Sequence, residues 1–402
     1  MTDPALAGES GSRSLARAAR RPLRRESASA RGVLTRVATP MSRVLTSVLV
    51  SLPLVAIGCA VSSSPTQQPT CTGGKCDGEG SDGVDNDVPL DPAPAQDALS
   101  ANAHAASVTP PADGYDLISD DLVWLQSPPK SQGGRNLCTV FALTGLMEYL
   151  AIANYVDLEP NYSEQYLFWL AQTSFAQQEG THEDTGYSTS AANVPAAQQI
   201  GVTSADAWAY DAHYWSPADG HPECTGSTQP VSCYTDGDAP QAALDATKYQ
   251  LSGTLSGIKK EDIKAWLATH DTPVMASTTI YCQAWNLSCS TASSLDYYTN
   301  GWITYPNPGD TIGGGHEFLI VGWDDDLAIP LRDSSGNPLY EADGVTPQVE
   351  TGFFIFKNSW TAKGFGRDNL YGAGYGLISQ RYITDFPGSA AVLDDDATIV
   401  VA

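Results

Sequence analysis

The chain of 402 residues is short of basic side chains: 21 Lys and Arg stand against 46 Asp and Glu, a formal net charge of −25. Residues 1–58 hold nine of the Arg beside three acidic groups, so the rest carries 12 basic against 43 acidic residues. A surface of that sign repels phosphate backbones and anionic headgroups, which excludes nucleic acid as a partner and any direct binding to anionic membrane. Long apolar runs are also missing. Val44 to Ile57 is too short for an ordinary spanning helix. There is no Gly-x-Ser-x-Gly, no His-Glu-x-x-His and no Gly-Lys-Ser/Thr phosphate loop, which removes the usual serine hydrolase, zinc peptidase and nucleotide-binding signatures. Histidine is scarce at six residues, and His182-Glu183-Asp184 suggests a metal site by composition only, since adjacent side chains diverge in direction. No metal and no cofactor is expected.

What remains is a set of residues suited to a thiol nucleophile. Gln132-Gly133-Gly134-Arg135-Asn136-Leu137-Cys138 leads into Thr139-Val140-Phe141-Ala142, a segment apolar nearly all round. Far downstream come Gly315-His316-Glu317-Phe318-Leu319-Ile320-Val321-Gly322-Trp323 and then Lys357-Asn358-Ser359-Trp360. A thiol is only slightly ionised at pH 7, and the thiolate is the reactive form. A helix N-terminus at Cys138 favours that anion. An imidazole, here His316, takes the proton, and Asn358 accepts from the other ring nitrogen and fixes the ring. Gln132, six residues before Cys138 across a flexible Gly-Gly, returns its side-chain amide toward the thiol as an oxyanion donor.

These residues resemble the papain family of cysteine peptidases. Its Gln-Gly-x-Cys-Gly-Ser-Cys-Trp-x-Phe is similar to Gln132 through Cys138 to Phe141, and its Asn-His-Ala-x-x-x-Val-Gly-Tyr to Gly315–Trp323. Its Lys-Asn-Ser-Trp matches Lys357–Trp360, and its Leu-Ser-Glu-Gln resembles Tyr162-Ser163-Glu164-Gln165. The resemblance spans roughly residues 120–386. It implies an α+β, two-lobed fold in which a helical lobe and an antiparallel β-sheet lobe face each other across an active-site cleft. It implies Cys138, His316, Asn358 and Gln132 as the catalytic set, with Trp360 shielding the Asn–His hydrogen bond from water, and protein or peptide substrates. The departures are Thr139 in place of Trp, Glu317 in place of Ala, and Arg135 in place of a Cys that normally forms a disulfide. No Cys lies between Cys138 and Cys224, so both halves of that bridge are gone. Cys138 to His316 is 178 residues, and His316 to Asn358 a further 42. Insertions at Cys224 to about Gln250 and at Asp324 to Glu350 account for the length.

The N-terminal part reads as an export device. Met41 starts a segment with Arg43 as its positive region, the apolar run, then Gly58-Cys59. This resembles a bacterial lipoprotein signal over residues 41–58, which implies an exported chain lipidated on Cys59 and anchored at the bacterial cell envelope, in the periplasm or at the cell surface, so that the membrane is reached through the lipid only. Residues 1–40 are either a mis-assigned start or a basic extension. Residues 59–113, rich in Ser, Pro and Asp, read as a disordered tether. Within it Asp82 to Asp87 lacks the distal Glu of an EF-hand and reads as solvated linker. Of eight Cys, the six other than Cys59 and Cys138 fall into close pairs, expected as disulfides: Cys71–Cys76, Cys224–Cys233 and Cys282–Cys289.

A peptidase domain is expected over 114–390, followed by an acidic C-terminal tail, 391–402. Helices are expected over 138–153, after an Asn161/Glu164 capping box, over 191–200 and over 260–269; strands over 273–281, 317–323, 353–357 and 375–383. Three functions compete. One is an exported cysteine endopeptidase working through an acyl-enzyme. The second is a papain-fold lipoprotein that binds peptides with little turnover. The third is an acyltransferase that passes the same thioester to an amine.

Overall fold

The computed structural model describes residues 108–175, 189–225, 229–287, 289–290 and 294–402. The expected leader, Cys59, the Cys71–Cys76 pair, the acidic loop Asp82–Asp87 and His182-Glu183-Asp184 lie outside the described residues.

Helices come first and strands dominate later. The central helix Cys138–Ala153 is followed by Glu164–Leu170, which runs on as a π-helical turn Ala171–Phe175, then by Ser190–Gln199 and Ile263–His270. The strands are β1 (Ile118–Ser119), β2 (Tyr249–Ser252), β3 (Leu255–Gly257), β4 (Val274–Tyr281), β5 (Trp302–Ile303), β6 (Ile312–Asp324), β7 (Ile329–Pro330), β8 (Val349–Glu350), β9 (Phe353–Lys357), β10 (Tyr375–Ser379), β11 (Ala390–Leu393) and β12 (Thr398–Val401). The main sheet runs β3-β11-β4-β6-β9-β10-β5, with β1 on β6. Its pairs are antiparallel except β10 with β5. This is the expected α+β arrangement of a helical part and an antiparallel-dominated sheet.

The central helix is buried from Cys138 to Ala151, polar Thr139, Thr144 and Glu148 included. An all-round apolar helix needs neighbours on every side. On one side it lies so close to β6 that a Cβ on Gly145 would sit 3.1 Å from Leu319. β6 is the spine of the sheet. β4 pairs with its first two thirds, β9 with its second half, and β1 with its end at Trp323 and Asp324. Gly322 is required there, because a Cβ would stand 2.1 Å from the Ser119 carbonyl oxygen.

Four expectations need correction. The helix after residue 161 is capped by Ser163, whose Oγ accepts from the Tyr166 N–H at 3.0 Å, not by Asn161. Extended structure ends at Ser379, and 380–385 turns into a short helix capped by Ser379. The third is β6, which begins at Ile312 rather than Glu317 because the Gly-rich approach to His316 itself pairs with β4. Residues 391–402 are not a tail. β11 lies between β3 and β4 in the main sheet, β12 pairs with β2, and Val392, Leu393, Ala397 and Ile399 are buried. The acidic run Asp394-Asp395-Asp396 is only the turn between these strands. Its charge masked the apolar alternation on either side.

Candidate active site

Cys138 is the first residue of the central helix and takes part in no disulfide. Leu137 caps that helix without a side-chain hydrogen bond, and its first turn holds no acidic residue. The positive end of the helix dipole is therefore uncompensated by side chains and favours a thiolate at Cys138.

His316 lies on β6 opposite Thr278 and is 3% exposed. Its Nε2 is 2.7 Å from Asn358 Oδ1. The Asn358 oxygen also accepts the Ser359 backbone N–H at 2.8 Å, which fixes the amide so that its oxygen faces the ring. Nε2 thus carries the proton, and Nδ1 is left as the basic nitrogen. The Trp360 ring lies 4.5 Å from the imidazole, centroid to centroid, with Trp285 edge-on at 5.6 Å. Burial in this aromatic box lowers the His316 pKa to about 4, the Asn358 hydrogen bond opposing it.

Gln132 ties the two halves of the site together. Its Oε1 accepts from Ser359 Oγ at 2.6 Å, and its backbone N–H donates to the Ser359 carbonyl at 2.8 Å. Its Nε2 donates one N–H to the Arg135 carbonyl at 2.8 Å, which leaves the second N–H for an incoming oxygen. Gly133 makes the turn possible: its φ is +57°, and a Cβ would meet Ala212 at 2.4 Å. The nucleophile loop is thus linked through Gln132 and Ser359 to Asn358 and through Asn358 to His316.

Beneath this chain lies a buried charge cluster absent from the sequence expectations. Lys130 Nζ donates to Glu148 at 2.6 Å, to Glu164 at 2.8 Å and to the Tyr162 carbonyl at 2.9 Å. Glu148 also accepts from Ser127 Oγ, which in turn accepts from Lys357 Nζ at 2.7 Å. Burial works against the Lys130 charge, but Glu164 and Glu148 outweigh it and raise the pKa. Burial lowers Lys357 to about 8 against the pull of Glu148, and raises Glu164 against Lys130. A small pocket adjoins the cluster, lined among others by Glu148, Glu317, Lys357 and Asn358. Glu317, next in sequence to His316, therefore faces the helix side and not the aromatic box. The one visible signal of the cluster was Glu148, the sole charge in an otherwise apolar helix.

Arg135 was legible only as a missing half-cystine. It is fully buried, with its guanidinium paired to Asp236 at 3.0 Å. Burial pushes Asp236 up to about 6 against the pull of Arg135. Disulfides close Cys224–Cys233 and Cys282–Cys289. Among the described residues no helix is long and apolar enough to cross a membrane.

No family model and no curated protein matches the sequence. Solved structures do. Xylellain, a cysteine protease from Xylella fastidiosa, aligns with a TM-score of 0.50 at 17% identity, over 76% of this chain and 97% of its own. The cysteine protease and lectin-like domains of Cwp84, a surface layer associated protein of Clostridium difficile, align with a TM-score of 0.44 at 17% identity, over 70% of this chain and 53% of theirs. Digestive procathepsin L2 proteinase from the larval midgut of Tenebrio molitor aligns with a TM-score of 0.41 at 18% identity, over 74% and 76%. At such identity the likeness to xylellain establishes the fold, which is papain-like.

Proposed function

We propose that this chain is a papain-like cysteine endopeptidase that cleaves peptide bonds through Cys138, His316, Asn358 and Gln132. The observation that carries the reading is the 2.7 Å His316 Nε2–Asn358 bond, buried beside Trp360 and connected through Ser359 to Gln132 in the loop that delivers Cys138. A buried structural histidine would need a partner for its N–H too, but not one tied through Ser359 and Gln132 to the loop that carries a cysteine at a helix N-terminus. A base that must present one nitrogen to a nucleophile does need such a tie.

In this reading the Cys138 thiol gives its proton to His316 Nδ1, and the sulfur attacks the scissile carbonyl. The oxyanion that forms accepts from the Cys138 backbone N–H and from the second Gln132 Nε2–H. The intermediate collapses as the imidazolium protonates the leaving amine, which leaves a thioester on Cys138. His316 then takes a proton from water, the hydroxide adds to the thioester, and the thiol leaves with that proton. Asn358 keeps the ring aligned through both halves, and Trp360 keeps water off the His–Asn bond. Cys138→Ala should abolish both hydrolysis of an unstructured protein and covalent labelling by a thiol-alkylating epoxide, with unchanged circular dichroism. Cleavage that survives the substitution would overturn the mechanism. Labelling without fragments in the wild type would favour a peptide-binding module, and transfer of the acyl group to an added amine in preference to water a transferase.

The two disulfides fit an oxidising compartment. Together with the leader-like segment they support export, with the mature chain beginning at a lipidated Cys59. Intact-mass measurement of protein from its membrane fraction should show a diacylglycerol-sized addition on a chain starting at Cys59; an unmodified start elsewhere replaces anchoring by simple secretion.

A further inference from the structure

Arg135 has more ties than a lost half-cystine requires. Its Nη1 shares its two N–H bonds among three acceptors, Gln165 Oε1 and the Asp211 carbonyl, both at 2.7 Å, and Asp236 Oδ2 at 3.0 Å. Its Nη2 donates to the Tyr234 carbonyl at 2.6 Å. The guanidinium lies over the rings of Tyr210, Tyr214 and Phe168 at 4.8, 5.0 and 5.3 Å. It therefore joins the nucleophile loop to two carbonyls and a carboxylate of the segment 211–236, which is itself closed by Cys224–Cys233. This segment and Tyr210 just before it touch the loop elsewhere: Tyr210 Oη donates to the Gln132 carbonyl at 2.7 Å, and the Asn136 N–H donates to Tyr214 Oη at 3.2 Å.

The backbone of Arg135 faces the chemistry. Its carbonyl is the acceptor that holds Gln132 Nε2, and it also accepts the Leu137 N–H at 3.0 Å, one residue before the nucleophile. Where the side chain is anchored thus decides where this carbonyl stands. The carbonyl decides where the remaining Gln132 N–H points.

We propose that Arg135 is a positioning residue that acts through Gln132: its buried clamp on the 211–236 segment sets the oxyanion donor. This rests on the peptidase reading above. Lys could supply a charge at this position but not a planar fork able to reach four acceptors at once. An oxyanion donor displaced by a fraction of an ångström loses much of its effect, because the effect lies in preorganisation.

The test separates the oxyanion hole from the thiol. Alkylation of Cys138 by iodoacetamide needs the nucleophile and base but develops no oxyanion, whereas peptide hydrolysis needs all of them. Arg135→Lys should lower kcat on a peptide amide by about 10- to 100-fold, with KM within about threefold and the alkylation rate within about twofold of wild type. The Gln132→Ala/Arg135→Lys double variant should be no slower than Gln132→Ala alone within about twofold, since both changes remove one effect. Alkylation falling in step with kcat, or losses that multiply in the double variant, would overturn the proposal. If Arg135→Lys does not fold by circular dichroism, Asp236→Asn carries the same comparison, since it keeps an acceptor but removes the charge; unchanged kcat or a loss additive with Gln132→Ala then overturns it. Wild-type protein that is alkylated yet hydrolyses nothing fails at the peptidase reading itself and takes this inference with it. An active wild type with additive variants fails at the inference alone.

Discussion

His316 shows how one side chain's surroundings set its chemistry. Burial between Trp285 and Trp360 makes the imidazolium costly unless a thiolate lies beside it to balance the charge. Removing the thiol should therefore leave a histidine that is neutral well below the usual range. In Cys138→Ala, NMR titration of the His316 ring should give a pKa near 4 rather than 6.5. The linkage follows in sign. A histidine depressed in the native state and ordinary in the unfolded chain contributes stability that is present above about pH 6.5 and lost as pH falls toward 4, up to about 3 kcal/mol. Urea denaturation of Cys138→Ala between pH 7 and 4 should show that loss, and His316→Gln in the same background should flatten it. A ring that titrates at 6.5 would mean the aromatic box admits water.

At the scale of elements, the central helix and the sheet meet across charged side chains as well as apolar ones. Glu148 from the helix, Lys130 from the loop before it and Lys357 from the end of β9 form one connected set, with Ser127 as the relay. Breaking such a set is costlier than never having built it, because the remaining charges stay buried without a partner. Glu148→Ala should destabilise the protein by about 3–5 kcal/mol. Glu148→Gln, which keeps the acceptor for the Tyr162 N–H, should cost less. Both are measurable by urea denaturation in the Cys138→Ala background. Elements whose apolar pattern is continuous, such as 138–153 and 353–357, were legible in the sequence to the residue, because propensity and burial point the same way there. The segment after Tyr375 was not. Ser379 caps a helix where the apolar residues Tyr382 and Ile383 suggested more strand. The candidate site was legible as a set of residue types in order. Its supports were not, since Arg135 and the Glu148 cluster work through partners up to 230 residues away.

For the molecule as a whole, the last dozen residues decide how the chain is closed. β11 inserts between β3 and β4 in the main sheet, and β12 then pairs with β2 in register Thr398–Ser252 to Val401–Tyr249. β2 in turn meets Val202, just after the helix Ser190–Gln199, through paired backbone bonds of 2.8 and 2.9 Å, and the Tyr249 ring packs tilted against Tyr162, 4.7 Å between centroids. The paired segments 249–257 and 390–401 therefore run from the helical part to the sheet as one strap, so the end of the chain fixes the wall that carries Ser163 and Glu164. A tail and a strap differ in what substitution does to them. Ile399 is 4% exposed and Val401 is 55% exposed, two residues apart on one strand. Ile399→Ala should cost about 2–4 kcal/mol, as for a buried aliphatic in a strand that cannot collapse around the gap. Val401→Ala should stay within about 0.5 kcal/mol, as for an exposed site. The same denaturation series reads both, and equal, negligible effects at the two positions would return these residues to a tail. Because the strap lies far from Cys138 in the connectivity of the site, the Ile399→Ala protein that remains folded should hydrolyse peptide at the wild-type rate per active thiol.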